Sequence, residues 1–136
     1  MKRFVFALII SATSAAWAEN PRQFVDGYAA EAARTHTGFV ADAARGRAFA
    51  ARTWGVSEKL SSCTACHTDN PRNAGRHAVT GKTIEPLSPS VSAERFSDPA
   101  KVEKWFKRNC KEVVGRLCTP AEKADFIQFV LGAKSS

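Results

Sequence analysis

Apolar positions along this chain recur at helical spacing. Between Pro21 and Arg34, the residues Phe24, Tyr28 and Ala32 stand at four-residue steps, which predicts an amphipathic helix with an aromatic stripe turned toward the core. Asp42 to Trp54 predicts a second helix, rich in alanine and arginine, with Phe49 as its main apolar contact. Gly46, lacking a Cβ, marks where another helix can approach closely, and Gly55 is the expected end of the element. Ser97-Asp98-Pro99 starts a third helix, with aspartate as cap and proline at the first position. It is expected to run to about Val114, with Gly115 as a left-handed terminator. Thr119 to Glu122 is a capping box with Pro120 at the first helical position, opening a final helix whose Phe126, Ile127, Phe129, Val130 and Leu131 supply core. No segment alternates in the manner of a strand, so the fold class is all-α.

Asp69 to Ser92 has a different texture. Pro71, Asn73, Gly75, Gly81, Pro86 and Pro89 break regular structure, and Val79, Ile84, Leu87 and Val91 are its apolar anchors. A loop of this length either wraps a bound group or packs on itself at the surface.

The amino terminus carries a different pattern again. Met1-Lys2-Arg3 is a positive start, Phe4 to Ala16 an apolar run, and Ala16-Trp17-Ala18 a small-x-small cleavage site before Glu19. Residues 1–18 therefore read as a secretory signal peptide and residues 19–136 as one exported domain, which places the protein in the periplasm. The apolar run, interrupted by Ser11, Thr13 and Ser14, is too short for a membrane anchor, so no stable span is expected after cleavage. The formal net charge of +7 includes Lys2 and Arg3, and the mature chain stays basic. Export argues against nucleic acid as a partner. An acidic redox protein, met by electrostatic steering, or an anionic lipid surface fits better.

Between the second helix and the long loop stands Cys63-Thr64-Ala65-Cys66-His67. C-x-x-C-H is the attachment signature of c-type haem, in which two thiols bond to the porphyrin vinyl groups and the adjacent histidine ligates the iron. The motif predicts one covalent haem c. A zinc site needs a second ligand pair at motif spacing, whereas Cys110 and Cys118 are eight residues apart and His36 and His77 are isolated. A thioredoxin-like pair follows a strand in a βαβ unit, and none is read here. Cys110 and Cys118 then remain as an even pair in an oxidising compartment, which predicts a disulfide, the other reading being two buried thiols.

The second axial position decides the chemistry. Met1, the only methionine, leaves with the signal peptide, so methionine ligation is excluded. His77, His36, a lysine, an asparagine or no residue at all remain. On the helix from Pro99, the residues Val102, Trp105, Phe106, Asn109 and Val113 fall on one face. Asn109 is the polar member of that apolar stripe and needs a partner. Either it hydrogen-bonds to backbone or a haem propionate, or it points at the iron.

The order of Cys63-Thr64-Ala65-Cys66-His67, Gly81-Lys82, Pro86-Leu87, Arg95-Phe96, Val102 to Trp105, Arg108-Asn109-Cys110, Gly115-Arg116, Cys118-Thr119-Pro120 and Glu122 to Asp125 resembles the sphaeroides haem protein family of monohaem cytochromes c. The similarity runs from about Asp42 to the carboxyl terminus. It implies class I cytochrome c-like helices wrapped around one covalent haem, with Asn109 as sixth ligand opposite His67 and a Cys110–Cys118 disulfide. It further implies that the asparagine leaves the ferrous haem, opening a site for oxygen, nitric oxide or carbon monoxide, and that an acidic dihaem cytochrome c is the electron donor. The chemistry is consistent, since a neutral carboxamide should hold ferric iron better than the softer ferrous ion. The leading expectation is thus an exported cytochrome that takes an electron and binds a small ligand. A closed bis-histidine carrier using His77, and a reductase of peroxide, hydroxylamine or nitric oxide, are the alternatives.

Overall fold

The computed structural model describes residues 20–133, and the expected leader lies outside the described residues. Helix α1, Pro21–Ala33, begins at Asn20, whose Oδ1 accepts the Arg22 N–H at 3.0 Å while Gln23 Oε1 accepts the Asn20 N–H at 2.7 Å. Both bonds satisfy donors that a helix start leaves over. Of the expected stripe, Phe24 and Ala32 are buried and Tyr28 half-buried, and Val25 is buried next to them.

Helix α2, Ala43–Ala51, is capped by Asp42, whose Oδ1 accepts the Arg45 N–H at 2.7 Å. It ends before Trp54, short of the expected boundary. The reason is a chain reversal: the Trp54 N–H bonds to the Ser61 carbonyl at 2.9 Å, and the indole folds against Phe49 with ring centroids 5.3 Å apart.

Two further helices precede the last one. Helix α3 is the single turn Thr64–His67 that carries the cysteine motif, and α4 spans Pro99–Asn109 with Asp98 Oδ1 accepting the Lys101 N–H at 3.1 Å. From Asn109 the α-helical pattern widens into a π turn, Cys110–Val114, closed by the Gly115 N–H on the Cys110 carbonyl at 3.0 Å. Gly115 takes φ +81°, as its expected role requires. The structure joins Cys110 to Cys118, with their Cα atoms 5.7 Å apart, and thereby ties the widened turn to the start of the last helix.

That last helix, α5 (Pro120–Gly132), is the centre of the molecule. Ala124, Ile127 and Val130 have no exposed surface, and burying each of the two larger residues is worth about 1.5–3 kcal/mol relative to exposure. α5 packs most extensively on α1 and α2. The expected close approach at Gly46 is realised here: a Cβ on it would stand 2.0 Å from the Asp125 carbonyl oxygen. Asp125 is buried, and its carboxylate accepts the Asp42 N–H at 2.7 Å, Arg45 Nε at 2.8 Å and Arg45 Nη2 at 2.9 Å. These partners offset the desolvation that an unpaired carboxylate would suffer. Across the molecule, Lys123 Nζ donates to both Glu103 oxygens at 3.0 and 2.9 Å and the Tyr28 hydroxyl donates to Oε1, so α4 is held to α1 and α5.

One expectation is corrected in the long loop. Gly75–Arg76 (β1) and Thr83–Ile84 (β2) pair antiparallel, Gly75 opposite Ile84 and Arg76 opposite Thr83. Strands of two residues are too short to show an alternating pattern. Ile84 and Leu87 turn partly inward, but Val79 and Val91 are half exposed, because each sits on a tight turn. The Val79 and Thr80 N–H groups bond His77 Nδ1 at 3.3 and 3.1 Å, and the Val91 N–H bonds the Ser88 carbonyl at 3.0 Å. The fold remains all-α in class, and among the described residues no helix is long and apolar enough to cross a membrane.

Candidate haem site

Ser62, buried, prepares the motif turn: its Oγ accepts the Ala65 N–H at 3.1 Å and shares a hydrogen bond with Thr64 Oγ1 at 3.0 Å. The His67 N–H then bonds the Cys63 carbonyl at 3.0 Å, so the chain closes one helical turn across the motif. Residues three apart on such a turn share a face, which brings the Cys63 and Cys66 thiols to one side with His67 next to them. Both thiols are free, unlike Cys110 and Cys118. Thr68 leaves the turn at φ +62°, a costly conformation for a β-branched residue, with its Oγ1 donating to the Asn70 carbonyl at 3.0 Å.

The β ribbon seals this side of the motif. A Cβ on Gly75 would stand 2.0 Å from the Cys66 carbonyl oxygen, and the Ala78 N–H points at Cys66 Sγ at 3.3 Å. His77 therefore sits on the flank that carries the motif, its Nδ1 occupied by backbone N–H groups of its own turn. His36 is exposed, with Nδ1 2.9 Å from Thr35 Oγ1.

Burial pushes the Cys63 thiol up to about 11, with neighbouring Cys66 adding to the rise against a lowering backbone hydrogen bond. Burial foremost, together with the charges of Arg95 and His77, lowers the His67 imidazole to about 4. His67 is thus neutral at neutral pH and keeps a lone pair for a metal. Among the described residues no hydrogen bond engages its ring. Arg95 is fixed nearby by two carbonyls, Nε to Pro86 at 2.9 Å and Nη2 to Glu85 at 2.7 Å.

The stripe on α4 divides in space. Val102 is buried and Phe106 half-buried in the core cluster that also gathers Cys63, Leu87 and Phe96, while Val113 packs on the disulfide. Trp105 is 47% exposed and Asn109 is exposed at the end of the helix. Among the described residues the Asn109 carboxamide makes no hydrogen bond, so the backbone-bonded alternative has no counterpart. Two free thiols on one turn, an adjacent neutral imidazole, surrounding apolar side chains and an unclaimed carboxamide fit a c-type haem. Among the described residues no three of His, Cys, Asp and Glu converge as a metal-binding group, which leaves the zinc reading without a ligand set.

Comparison with known proteins agrees with a c-type haem. The family model described as domain of unknown function DUF1924 matches residues 36–130. Cytochrome c-type protein SHP of Cereibacter sphaeroides is 42% identical over 132 residues, covering 96% of this chain and 98% of the relative. This chain belongs to the sphaeroides haem protein family. As a sphaeroides haem protein it is a c-type cytochrome with one covalent haem c. The solved structure of oxidized SHP, described as an oxygen-binding cytochrome c, superposes with a TM-score of 0.75 at 45% identity, over 84% of this chain and 97% of that one. The solution structure of cytochrome c'' from Methylophilus methylotrophus, presented with insights into the structural basis of haem-ligand detachment, gives a TM-score of 0.73 at 35% identity, over 82% and 92%.

Three residues of this sphaeroides haem protein escape a reading of the sequence. Gly75 reads only as a chain breaker, since its contact partner at Cys66 is set by tertiary packing. Arg95 has its position fixed by carbonyls, which carry no sequence signal. Trp54, whose buried Nε1 finds no hydrogen-bond partner among the described residues, packs on the disulfide cluster with Arg52 and Arg116 guanidinium groups 4.3 and 5.6 Å from the centre of its ring.

Proposed function

We propose that this protein is a periplasmic monohaem cytochrome c, exported by the leader at residues 1–18, in which Cys63 and Cys66 carry the haem, His67 ligates its iron and Asn109 is a sixth ligand lost on reduction. Bound haem supplies a one-electron metal centre and a coordination position able to hold oxygen, nitric oxide or carbon monoxide. The protein's own residues decide how that position is used. Asn109 offers a neutral carboxamide oxygen, a ligand that holds a ferric centre better than a ferrous one. Once released, the same side chain presents N–H donors toward a polar diatomic molecule.

The observation that carries the reading is the exposed carboxamide of Asn109 on the face of α4 whose Val102 and Phe106 share a core cluster with Cys63. His77 is the weaker candidate. Its ribbon packs on the motif itself, through Gly75 at the Cys66 carbonyl and Ala78 at Cys66 Sγ, and its Nδ1 already takes two backbone N–H groups. Oxygen binding by SHP and ligand detachment in cytochrome c'' support the labile-ligand reading by analogy. The electron donor is proposed to be an acidic protein, such as a dihaem cytochrome c.

The test is the absorption spectrum of wild type and of Asn109→Val, ferric and ferrous, with and without carbon monoxide. Wild type is expected to be six-coordinate when ferric and to bind carbon monoxide when ferrous. Asn109→Val should change the ferric spectrum to that of a weakly liganded, high-spin haem while still taking carbon monoxide. A ferric spectrum unchanged in Asn109→Val but altered in His77→Ala would overturn the assignment.

A further inference from the structure

Tyr28 is the only tyrosine in the chain. Its ring stands edge-on to Phe106, with centroids 6.0 Å apart, and Phe106 stands edge-on to Phe126 at 5.8 Å. Tyr28, Phe106 and Cys63 all pack against one core cluster, so these rings lead from α1 toward the motif that carries the haem. The Tyr28 hydroxyl donates to Glu103 Oε1. Lys123 Nζ holds both oxygens of that carboxylate and lies 4.8 Å from the centre of the Tyr28 ring.

Phenylalanine would make the same aromatic contacts. What tyrosine adds is an oxidisable phenol whose proton already has an acceptor in place. Against the upward push of burial, the hydrogen bonds from Tyr28 and Lys123 hold Glu103 below the ordinary carboxylate range, so it is ionised at neutral pH. Its side chain is 56% exposed, so a proton received there can pass to water. The Lys123 ammonium opposes a second positive charge on the ring, and an electron therefore leaves Tyr28 only if the proton leaves with it. The other large oxidisable rings are not equipped in this way. Trp54 Nε1 is buried without an acceptor, and the Trp105 indole makes no hydrogen bond among the described residues. Each also carries a guanidinium, Arg52 at 4.3 Å and Arg108 at 5.7 Å from the ring centre.

We infer that Tyr28 is a redox-active side chain, which gives an electron to the haem when hydrogen peroxide oxidises it, with Glu103 accepting the phenolic proton. The inference rests on the covalent haem and not on the identity of its sixth ligand. Reduction of hydrogen peroxide to two water molecules takes two electrons and two protons. Tyr28 supplies one electron, its O–H bond breaks, the proton passes to Glu103 and a neutral phenoxyl radical remains. A one-electron reductant supplies the second electron, and solvent supplies the protons that peroxide consumes. A further electron from the reductant restores the tyrosine as the proton returns from Glu103. Oxidising equivalents are thereby drawn away from the porphyrin to a side chain that tolerates them.

The experiment mixes ferric holoprotein with hydrogen peroxide, freezes it within milliseconds to seconds and records electron paramagnetic resonance, with haem absorbance followed in parallel. Wild type should give a tyrosyl signal that narrows when the protein is made with ring-deuterated tyrosine. Tyr28→Phe, which keeps the ring, should lose that signal and bleach its haem faster. Glu103→Gln keeps the side-chain shape but removes the base, and should lower the radical yield about tenfold, the lower side of a general-base effect because water replaces the base in part. A wild-type haem that peroxide leaves spectrally unchanged would overturn the inference. So would a radical signal of equal yield in Tyr28→Phe, which would place the hole on tryptophan, and an equal yield in Glu103→Gln would overturn the proton acceptor. Failure of the haem reading shows separately, as a protein that carries no covalent haem band before peroxide is added.

Discussion

A Cβ on Gly75 would stand 2.0 Å from the carbonyl oxygen of Cys66 and 3.1 Å from the His67 Cα. Backbone meets backbone at that point, so no rotamer change relieves the contact. Gly75→Ala is expected to push the ribbon off the motif turn, lowering stability by about 1–3 kcal/mol and reducing haem incorporation. Gly27→Ala is the matched control, because nothing lies within 4 Å of the added carbon and the site is an exposed helix interior. That change should raise stability by about 0.5–1 kcal/mol. Thermal melts of the two holoproteins read both signs, and equal melting temperatures for Gly75→Ala and wild type would refute the contact.

The disulfide follows directly on Asn109. It closes a short loop around the π turn, with Cys110 and Cys118 both buried. Cys110→Ser/Cys118→Ser is expected to cost about 2–3 kcal/mol on the chain-entropy argument. It should also free the end of α4, so that the ferric ligation proposed for Asn109 weakens at temperatures where the wild type keeps it. Guanidinium unfolding followed by far-ultraviolet circular dichroism reads the first effect and the ferric spectrum against temperature reads the second. A variant with full stability and an unchanged spectrum would show that the bond constrains neither.

How much of this was legible beforehand divides along sequence distance. The Asp98 and Thr119 caps, Gly115 at φ +81° and the inward Ile127 and Val130 follow from signals a few residues long. Gly46 too was legible, since a glycine inside a helical run asks for a close neighbour, although its partner Asp125 was not named by anything local. The ribbon, the carbonyl clamp on Arg95 and the early end of α2 come from contacts between separate segments. The motif residues could be read from their own spacing, whereas the free carboxamide of Asn109 and the position of His77 on the motif flank needed the folded chain.

Asp125 illustrates the same distance rule energetically. Its carboxylate is the shared acceptor for the Asp42 N–H, 83 residues earlier, and for two Arg45 nitrogens, 80 residues earlier. Asp125→Ala should leave the start of α2 unsatisfied and cost about 2–3 kcal/mol. Arg45→Ala should cost less, because Arg45 is half exposed and its loss still leaves Asp125 the Asp42 N–H. Urea midpoints of the two variants check the order, and a reversed order would mean that the guanidinium rather than the backbone bond is the main support.

Acid should loosen the molecule at two surface glutamates. Burial works to raise the Glu122 pKa, but donors from Arg116 at 2.8 and 2.6 Å and the Thr119 N–H at 2.8 Å outweigh it, and the net shift is downward. Glu103 behaves alike, burial being outweighed by the hydrogen bonds from Tyr28 and Lys123. A folded pKa below the unfolded one gives stability that is complete above the ordinary glutamate value of about 4.3, and is lost as pH falls through the lower folded value. Glu103→Gln and Glu122→Gln should therefore be less stable than wild type at pH 7, with the difference shrinking toward pH 3. The Glu122→Gln gap should be the clearer one, since its side chain is 21% exposed against 56% for Glu103 and is less screened by solvent. Denaturant unfolding monitored by circular dichroism between pH 7 and 3 measures the gap, and a difference that stays constant across that range would rule out these carboxylates as its source.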